Sequence, residues 1–358
     1  MKFPRVKVPG LTLGGTKATP FGLDVGSSAV KVVAIRHDGA YTLTGLGVAT
    51  LPPEAVVDGA IKDAAAVSAA IKDAVQRAGV NGTDVAISIC GRELIVKKIR
   101  IPVVPQKELH DAVQLEAEHH IPFAIEEVFV DYHVVGQNNG SIDLILVAVK
   151  KSKVTEYVSV VEDAGLKAVV VDVDSFALGN QFELNSAAQP DEAVALIDIG
   201  ASIMKTNVLR NGATIFARDI PFGGNQYTQA IAQRLSLPFE EAEAAKLGAH
   251  SSVDAKSVSP VIDEVSHELS LEVQRTFDYF ASTAESERIA KIVLAGGCAH
   301  IAGLSDYLAS TWGIPVEVAR PFDRVMVEET YADAVAAGGP ALAVAVGLGL
   351  RRPGDERT

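Results

Sequence analysis

The chain has 358 residues, 48% of them hydrophobic, with 32 Lys and Arg against 45 Asp and Glu and a formal net charge of −13. That length suits two domains with sizeable cores, and the apolar content excludes global disorder. The acidic balance argues against general nucleic-acid binding, which needs a basic face, though a local basic patch stays possible.

The first residues, to about Pro20, carry Lys2, Arg5, Lys7 and Lys17 among Pro and Gly. They read as a mobile tail, with a membrane-surface or partner contact as the second reading. They lack the apolar core of a signal peptide. Phe21 to Thr50 reads as three successive strands with turns at His37-Asp38-Gly39 and after Leu46. Ile61 to Arg77 has helical apolar spacing and Gly79 as its C-cap. Asp84 to Ile89 is a short apolar strand, and Leu94 to Ile101 alternates up to Pro102. The opening unit is therefore a mixed sheet with helical cover.

Pro102 to Lys167 reads as an insertion: a helix from Pro105 to His120, strands at Val128–Gly136 and Ile142–Val149, a helix from Lys150 to Gly165, then a strand that can rejoin the main sheet. His110, His119, His120 and His133 beside Asp111, Glu116 and Glu118 suggest a metal site only on paper. His119 and His120 are adjacent on a helix and point about 100° apart, and no HExxH pattern is present. Ala168 to Val173 is a buried strand, and Asp174 is placed to N-cap the helix towards Leu184.

A second half starts at Ala193, with strands at Ala193–Ile199, Met204–Arg210 and Thr214–Ile220. Helices follow from Gly223-Gly224-Asn225 to Leu235, from Glu240 to Leu247 and from Val258 to Ala284. Ile292 to Ala295 is a buried strand running into Gly296-Gly297, and Val316–Ala319 is a short one. A last apolar helix spans Pro340 to Leu350, too short and too interrupted by glycine to cross a membrane, and Arg351 to Thr358 is a polar tail expected to be mobile. Cys90 and Cys298, the only cysteines, read as buried thiols in a reducing compartment.

One pattern occurs twice. Asp24-Val25-Gly26-Ser27-Ser28-Ala29-Val30-Lys31 is matched by Asp198-Ile199-Gly200-Ala201-Ser202-Ile203-Met204-Lys205, so Asp24 aligns with Asp198, Gly26 with Gly200, Ser28 with Ser202 and Lys31 with Lys205. Each reads as strand, tight turn, return strand. A glycine lets backbone N–H groups converge, and serines add donors, which suits a phosphate. A carboxylate at the strand end suits a hydrated magnesium ion. A single D-x-G-S turn is commonplace; the duplication points to two similar halves facing each other. Gly296-Gly297 adds a place where backbone can approach a flat ligand.

These loops, in this order, resemble the two phosphate loops and the adenosine loop of the actin, Hsp70 and sugar-kinase superfamily, over about Pro20 to Leu350. The stretches from Lys107 through Leu115-Glu116-Ala117-Glu118-His119-His120-Ile121-Pro122-Phe123 to Val130-Asp131-Tyr132, and Val171-Asp172-Val173-Asp174-Ser175-Phe176-Ala177-Leu178, resemble the type IV pilus assembly protein PilM family, a relative of the cell-division protein FtsA. The resemblance implies an α/β, actin-like (ribonuclease H-like) two-lobed ATPase fold with duplicated mixed sheets and an inserted α+β subdomain. It divides the chain into a tail (1–19), a first lobe (20–101 and 168–190, with 340–350), the insertion (102–167), a second lobe (191–339, with a helical adenosine-side part at 238–285) and a tail (351–358).

It further implies ATP and Mg2+ in the cleft. Gly26, Ser27, Ser28 and Lys31 match the first phosphate loop, and Gly200, Ala201 and Ser202 the second. Gly223 and Gly224 match the loop beside phosphates and ribose, Glu243 and Lys246 an acid–base pair contacting ribose and base, and Gly296 and Gly297 the adenine loop. From spacing alone, Glu243 and Lys246 are an ordinary surface ion pair. Asp24 and Asp198 would hold magnesium through water, while Asp172 and Asp174 lie where a group could orient an attacking water, beside the helix-cap reading of Asp174. Ala201 stands where some relatives carry a polar group, so the resemblance implies tight nucleotide binding and at most slow hydrolysis. It implies a cytoplasmic protein tied to the inner membrane through the N-terminal peptide of a PilN-like membrane protein, in pilus assembly or a related type II secretion-like system. The alternative is a sugar-kinase-type phosphotransferase, for which no separate general base is seen. An Hsp70-type chaperone would need a further domain, and FtsA itself an amphipathic C-terminal helix.

Overall fold

The computed structural model describes residues 19–138, 140–186, 191–249, 253–283, 288–353 and 355. Residues 1–18 of the expected N-terminal tail, Asn139 between the expected strands Val128–Gly136 and Ile142–Val149, and Gly354 and 356–358 of the expected tail lie outside them. The strands are β1 (Phe21–Val25), β2 (Ala29–His37), β3 (Tyr41–Thr50), β4 (Val56–Val57), β5 (Ala60–Ile61), β6 (Asp84–Ile89), β7 (Leu94–Pro102), β8 (Val128–Asn138), β9 (Ser141–Lys150), β10 (Lys167–Val173), β11 (Ala193–Ile199), β12 (Met204–Arg210), β13 (Ala213–Ile220), β14 (Ile289–Ala295), β15 (Val316–Val318) and β16 (Val325–Met326). The α-helices are α1 (Ala64–Ala78), α2 (Leu109–His120), α3 (Lys151–Asp163), α4 (Asp174–Asn185), α5 (Gly224–Leu235), α6 (Phe239–Lys246), α7 (Ala255–Thr283), α8 (Leu304–Trp312), α9 (Glu329–Gly338) and α10 (Ala343–Gly349).

The first lobe is a mixed sheet in the order β10-β6-β1-β2-β3-β16. β1 is buried at every residue and runs parallel to β6, as an inner strand covered on both faces must. The turn expected after Leu46 is absent: β3 runs unbroken there, with Leu46 paired to Val33 and Gly47 to Val32 of β2. α1 starts where the Asp63 carboxylate accepts the Ala66 N–H at 2.9 Å and ends at Gly79 with φ 61°. Its buried stripe of Val67, Ala70, Ile71 and Ala74 packs on β3 and β2. On the other face α10 crosses α4 so closely that a Cβ on Gly347 would lie 1.8 Å from the Ala177 carbonyl oxygen, which only glycine permits. The run Glu329–Gly349 is long and apolar enough to span a membrane by length and composition, contrary to the expectation from sequence, but half of it is buried inside the protein. Leu342, Val346 and Leu348 are part of the lobe's interior.

The second lobe repeats the plan with the order β13-β12-β11-β14-β15. One face of its sheet packs on α7, whose Val265, Leu269, Val273, Phe277 and Phe280 join Ile197, Ile199 and Leu294 in one core. α4 lies between the lobes: the Asn207 amide of β12 donates to the Ser175 carbonyl of α4 at 2.6 Å.

The insertion begins earlier than its sequence suggests. β7 pairs antiparallel with β9 from Leu94 to Pro102, giving a separate three-stranded sheet β7-β9-β8 with α2 on it. α3, expected to be part of the insertion, instead places Tyr157, Val160 and Val161 in the core of the first lobe. Arg351, expected in a mobile tail, is 4% exposed.

Candidate functional site

Both repeats fold as hairpins with the same register. Asp24 faces Lys31 across β1 and β2, and Asp198 faces Lys205 across β11 and β12. Each tip is closed by its glycine: the Gly26 N–H donates to the Ala29 carbonyl at 3.1 Å, and the Gly200 N–H to the Ile203 carbonyl at 3.0 Å. Cross-strand register puts each ammonium on its carboxylate, Lys31 Nζ at 2.8 Å from Asp24 Oδ2 and Lys205 Nζ at 2.9 Å from Asp198 Oδ2. The tips meet, with Ser27 Oγ and Ser202 Oγ 2.5 Å apart.

Lys205 also reaches Asp174 Oδ2, at the start of α4, at 3.1 Å. Asp174 is the first residue of α4 rather than its N-cap, the place taken by Val173. Burial works to raise the Asp174 carboxyl, but Lys205, Ser88 and Cys90 outweigh it and hold it below the usual carboxylate range. Burial likewise works against the Lys205 charge, and Asp198 and Asp174 outweigh it, so the ammonium is held well above its ordinary value. Asp174 is thus an ion-pair partner, a poor acceptor for a proton.

The second tip is braced from below. The Gly224 N–H donates to the Gly200 carbonyl at 2.9 Å, and Asn225 N–H to that of Ala201 at 2.8 Å. A Cβ on Gly223 would meet the Ala201 and Gly200 carbonyl oxygens at 2.6 Å, so the close approach requires glycine. The Glu243–Lys246 pair is no ordinary surface pair: Lys246 Nζ is buried, 2.6 Å from Glu243 and 3.1 Å from Thr228 Oγ1. Gly296, with φ 85°, abuts Asp198, while Gly297 is exposed with open space above it. Cys298 lies against the Gly200 carbonyl, its thiol pushed up to about 12 by burial, against the pull of Lys246.

Comparison with known proteins decides the family. The family model for type IV pilus assembly protein PilM matches residues 22–353. The chain belongs to that family. It is similar to a chain in the structure of a PilM–PilN type IV pilus biogenesis complex, with 28% identity, a TM-score of 0.83, and coverage of 94% of this chain and 99% of that one. It is also similar to the cell division protein FtsA of Neisseria meningitidis serogroup B, 24% identical over 347 residues, covering 84% of this chain and 83% of the relative. MreB 5 of Spiroplasma citri bound to AMPPNP shares the fold at a TM-score of 0.53 and 13% identity, over 93% of this chain and 95% of that one. The fold is actin-like.

In this PilM-family chain the residues fit a nucleotide by their donor set. Two ammoniums, the tip hydroxyls and two glycine turns converge between the lobes, and open space lies over Gly297. The described residues hold no cluster of three or more His, Cys, Asp or Glu suited to a metal. A magnesium ion would therefore rest on the phosphates and water, with Asp24 and Asp198 as the nearby carboxylates. Asp172 stands apart from these groups. It is 0% exposed and ion-paired to Arg351 Nε at 2.6 Å. Burial raises its carboxyl and Arg351 opposes the rise. Lys205, Thr228 and Asp219, whose carboxylate accepts the Gly91 N–H at 2.7 Å and feels the charges of Asp174, Lys205 and Asp198, join these groups without a role assigned from sequence; of these only Lys205 carries a signal, its repeat of the Lys31 position.

Proposed function

We propose that this chain is an ATP-binding, actin-like cytoplasmic component of an inner-membrane assembly of the type IV pilus or related type II secretion-like kind, and that it binds the N-terminal cytoplasmic peptide of a PilN-like membrane protein. The observation that carries the nucleotide half is the meeting of two like hairpin tips, each with its Asp–Lys pair, between two like lobes. Gly26, Ser27, Ser28 and Lys31 face Gly200, Ala201 and Ser202 across the phosphates. Gly223, Gly224, Glu243, Lys246, Gly296 and Gly297 form the adenosine side. Asp24 and Asp198 supply charge for Mg2+. With Asp174 tied to Lys205 and Asp172 to Arg351, neither is free to act as a base, which supports binding with little turnover.

The peptide half is supported by the PilN partner of the 28%-identical relative and by a cleft of about 1420 Å³ beside the inserted sheet. β7 and β13, each at the edge of its sheet, both line it. An extended chain can add to such an edge and fill the apolar floor of Ile145, Ile215 and Phe216. Calorimetry with ATP and magnesium tests the first half, and anisotropy of a labelled PilN-like N-terminal peptide the second. Absence of binding in either assay removes that half alone. Turnover stimulated by a sugar would instead favour the phosphotransferase reading, for which no observation here speaks.

A further inference from the structure

The lysine of the second hairpin has the geometry of a phosphate ligand. The inference rests on the crevice being a nucleotide site. Lys31 and Lys205 occupy the same register position opposite Asp24 and Asp198. Each ammonium lies over the glycine of its own tip: a Cβ built on Gly26 would be 3.5 Å from Lys31 Nζ, and one on Gly200 would be 3.9 Å from Lys205 Nζ. The tips themselves touch through Ser27 and Ser202, so the two cations approach one crevice from opposite lobes.

The position of Asp198 gives the crevice a direction. Its Oδ1 faces the adenine loop, 2.6 Å from where a Cβ on Gly296 would stand, and its Oδ2 accepts from Lys205 at 2.9 Å. Lys205 is thus on the side of Asp198 away from the adenine loop, towards α4 and Asp174. A nucleotide whose base rests on Gly296-Gly297 sends the far end of its phosphate chain that way. An ammonium has three N–H donors. Among the described residues, Asp198 and Asp174 account for two on Lys205, and the third remains for a phosphate oxygen. We propose that Lys205 is a second phosphate-binding cation, the counterpart of Lys31, and that it recognises the terminal phosphate and so favours a nucleoside triphosphate over a diphosphate.

The experiment is calorimetry of ATP and of ADP, each with magnesium, on the full chain and on Lys205→Met and Lys205→Arg. The wild type should bind ATP at least about 10-fold more tightly than ADP, because a charge-assisted contact to one phosphate has that weight. Lys205→Met should lower ATP affinity by about 10- to 100-fold and ADP affinity by less than about 3-fold, and Lys205→Arg should keep the preference. If Lys205→Met fails to fold with two carboxylates left facing each other, Asp174→Asn combined with Lys205→Met carries the same expectation. Equal losses for both nucleotides, or no loss, overturn the proposal while leaving the nucleotide site intact. A wild type that binds neither nucleotide overturns the site and the proposal together.

Discussion

The Ser27 and Ser202 hydroxyls, 175 positions apart in the chain, meet at 2.5 Å where the two lobes come together. That contact fixes how near the tips lie, so it can be probed by chemistry. Cysteines at both positions would place two sulfurs within bonding reach. The native Cys90 and Cys298 are buried and not competitors. Ser27→Cys with Ser202→Cys should therefore cross-link under mild oxidation, seen as altered mobility on a non-reducing gel. A polyphosphate lodged between the tips parts them, so ATP with magnesium should slow the reaction several-fold. A pair that never cross-links would mean the tips do not face each other.

Asp24 and Asp198 offer the test of magnesium. Each is nearly buried, at 4% and 5% exposure, and each already neutralises a lysine. Substitution by Asn keeps the shape and removes the charge. Lys205 retains Asp174 when Asp198 is lost, and Lys31 is partly exposed, so the fold should survive. Either variant should bind magnesium-ATP about 10-fold less tightly or worse, with the loss shrinking in EDTA. Calorimetry that finds both variants unchanged would remove these carboxylates from the site.

The two hairpins are legible in the sequence because they are local. A glycine-closed hairpin spans only the residues between Asp24 and Lys31, so the repeat itself carries the register, while Gly223-Gly224 opens α5 and Gly296-Gly297 follows the apolar strand β14. Features set by distant pairings are not legible. Alternation marks β7 as a strand but cannot say that Leu94 pairs with Val149, so a boundary at Pro102 starts the insertion too late. Charge alone makes Arg351 look like a solvated tail residue, since nothing nearby in sequence announces Asp172. Asp174 stands first in its helix, which reads as a cap until the lysine from the other lobe is seen beside it.

The Asp172–Arg351 pair ties the end of the chain to the interior of the first lobe. Asp172 is 0% and Arg351 4% exposed. Removing one partner strands the other's charge in the core, which costs about 3–5 kcal/mol. Arg351→Met should therefore lower the urea midpoint steeply, whereas Arg351→Met combined with Asp172→Leu should recover most of the loss. If the single and double variants are equally unstable, the pair is not coupled and the tail is held by other contacts.

Asp219 of β13 accepts the Gly91 N–H of the first lobe at 2.7 Å, an interlobe bond at the wall of the cleft. Burial pushes its carboxyl from 3.8 up to about 6; Asp174 and Asp198 add to the rise, and the Gly91 N–H and Lys205 oppose it. The folded protein thus holds a proton between these values that the unfolded chain has released. The stability that proton confers is complete below about 3.8 and is lost as pH rises through about 6. At pH 7 the charged form is a liability on the order of 2 kcal/mol, after discounting for partial exposure. Asn keeps an acceptor for Gly91 and has no proton to lose. Asp219→Asn should accordingly be more stable than the wild type at pH 7, and the advantage should shrink as pH falls towards 4 in urea melts run side by side. An advantage that stays constant with pH would show that Asp219 titrates as an ordinary surface carboxylate, and a variant less stable than the wild type at pH 7 would show that its charged form stabilises the fold.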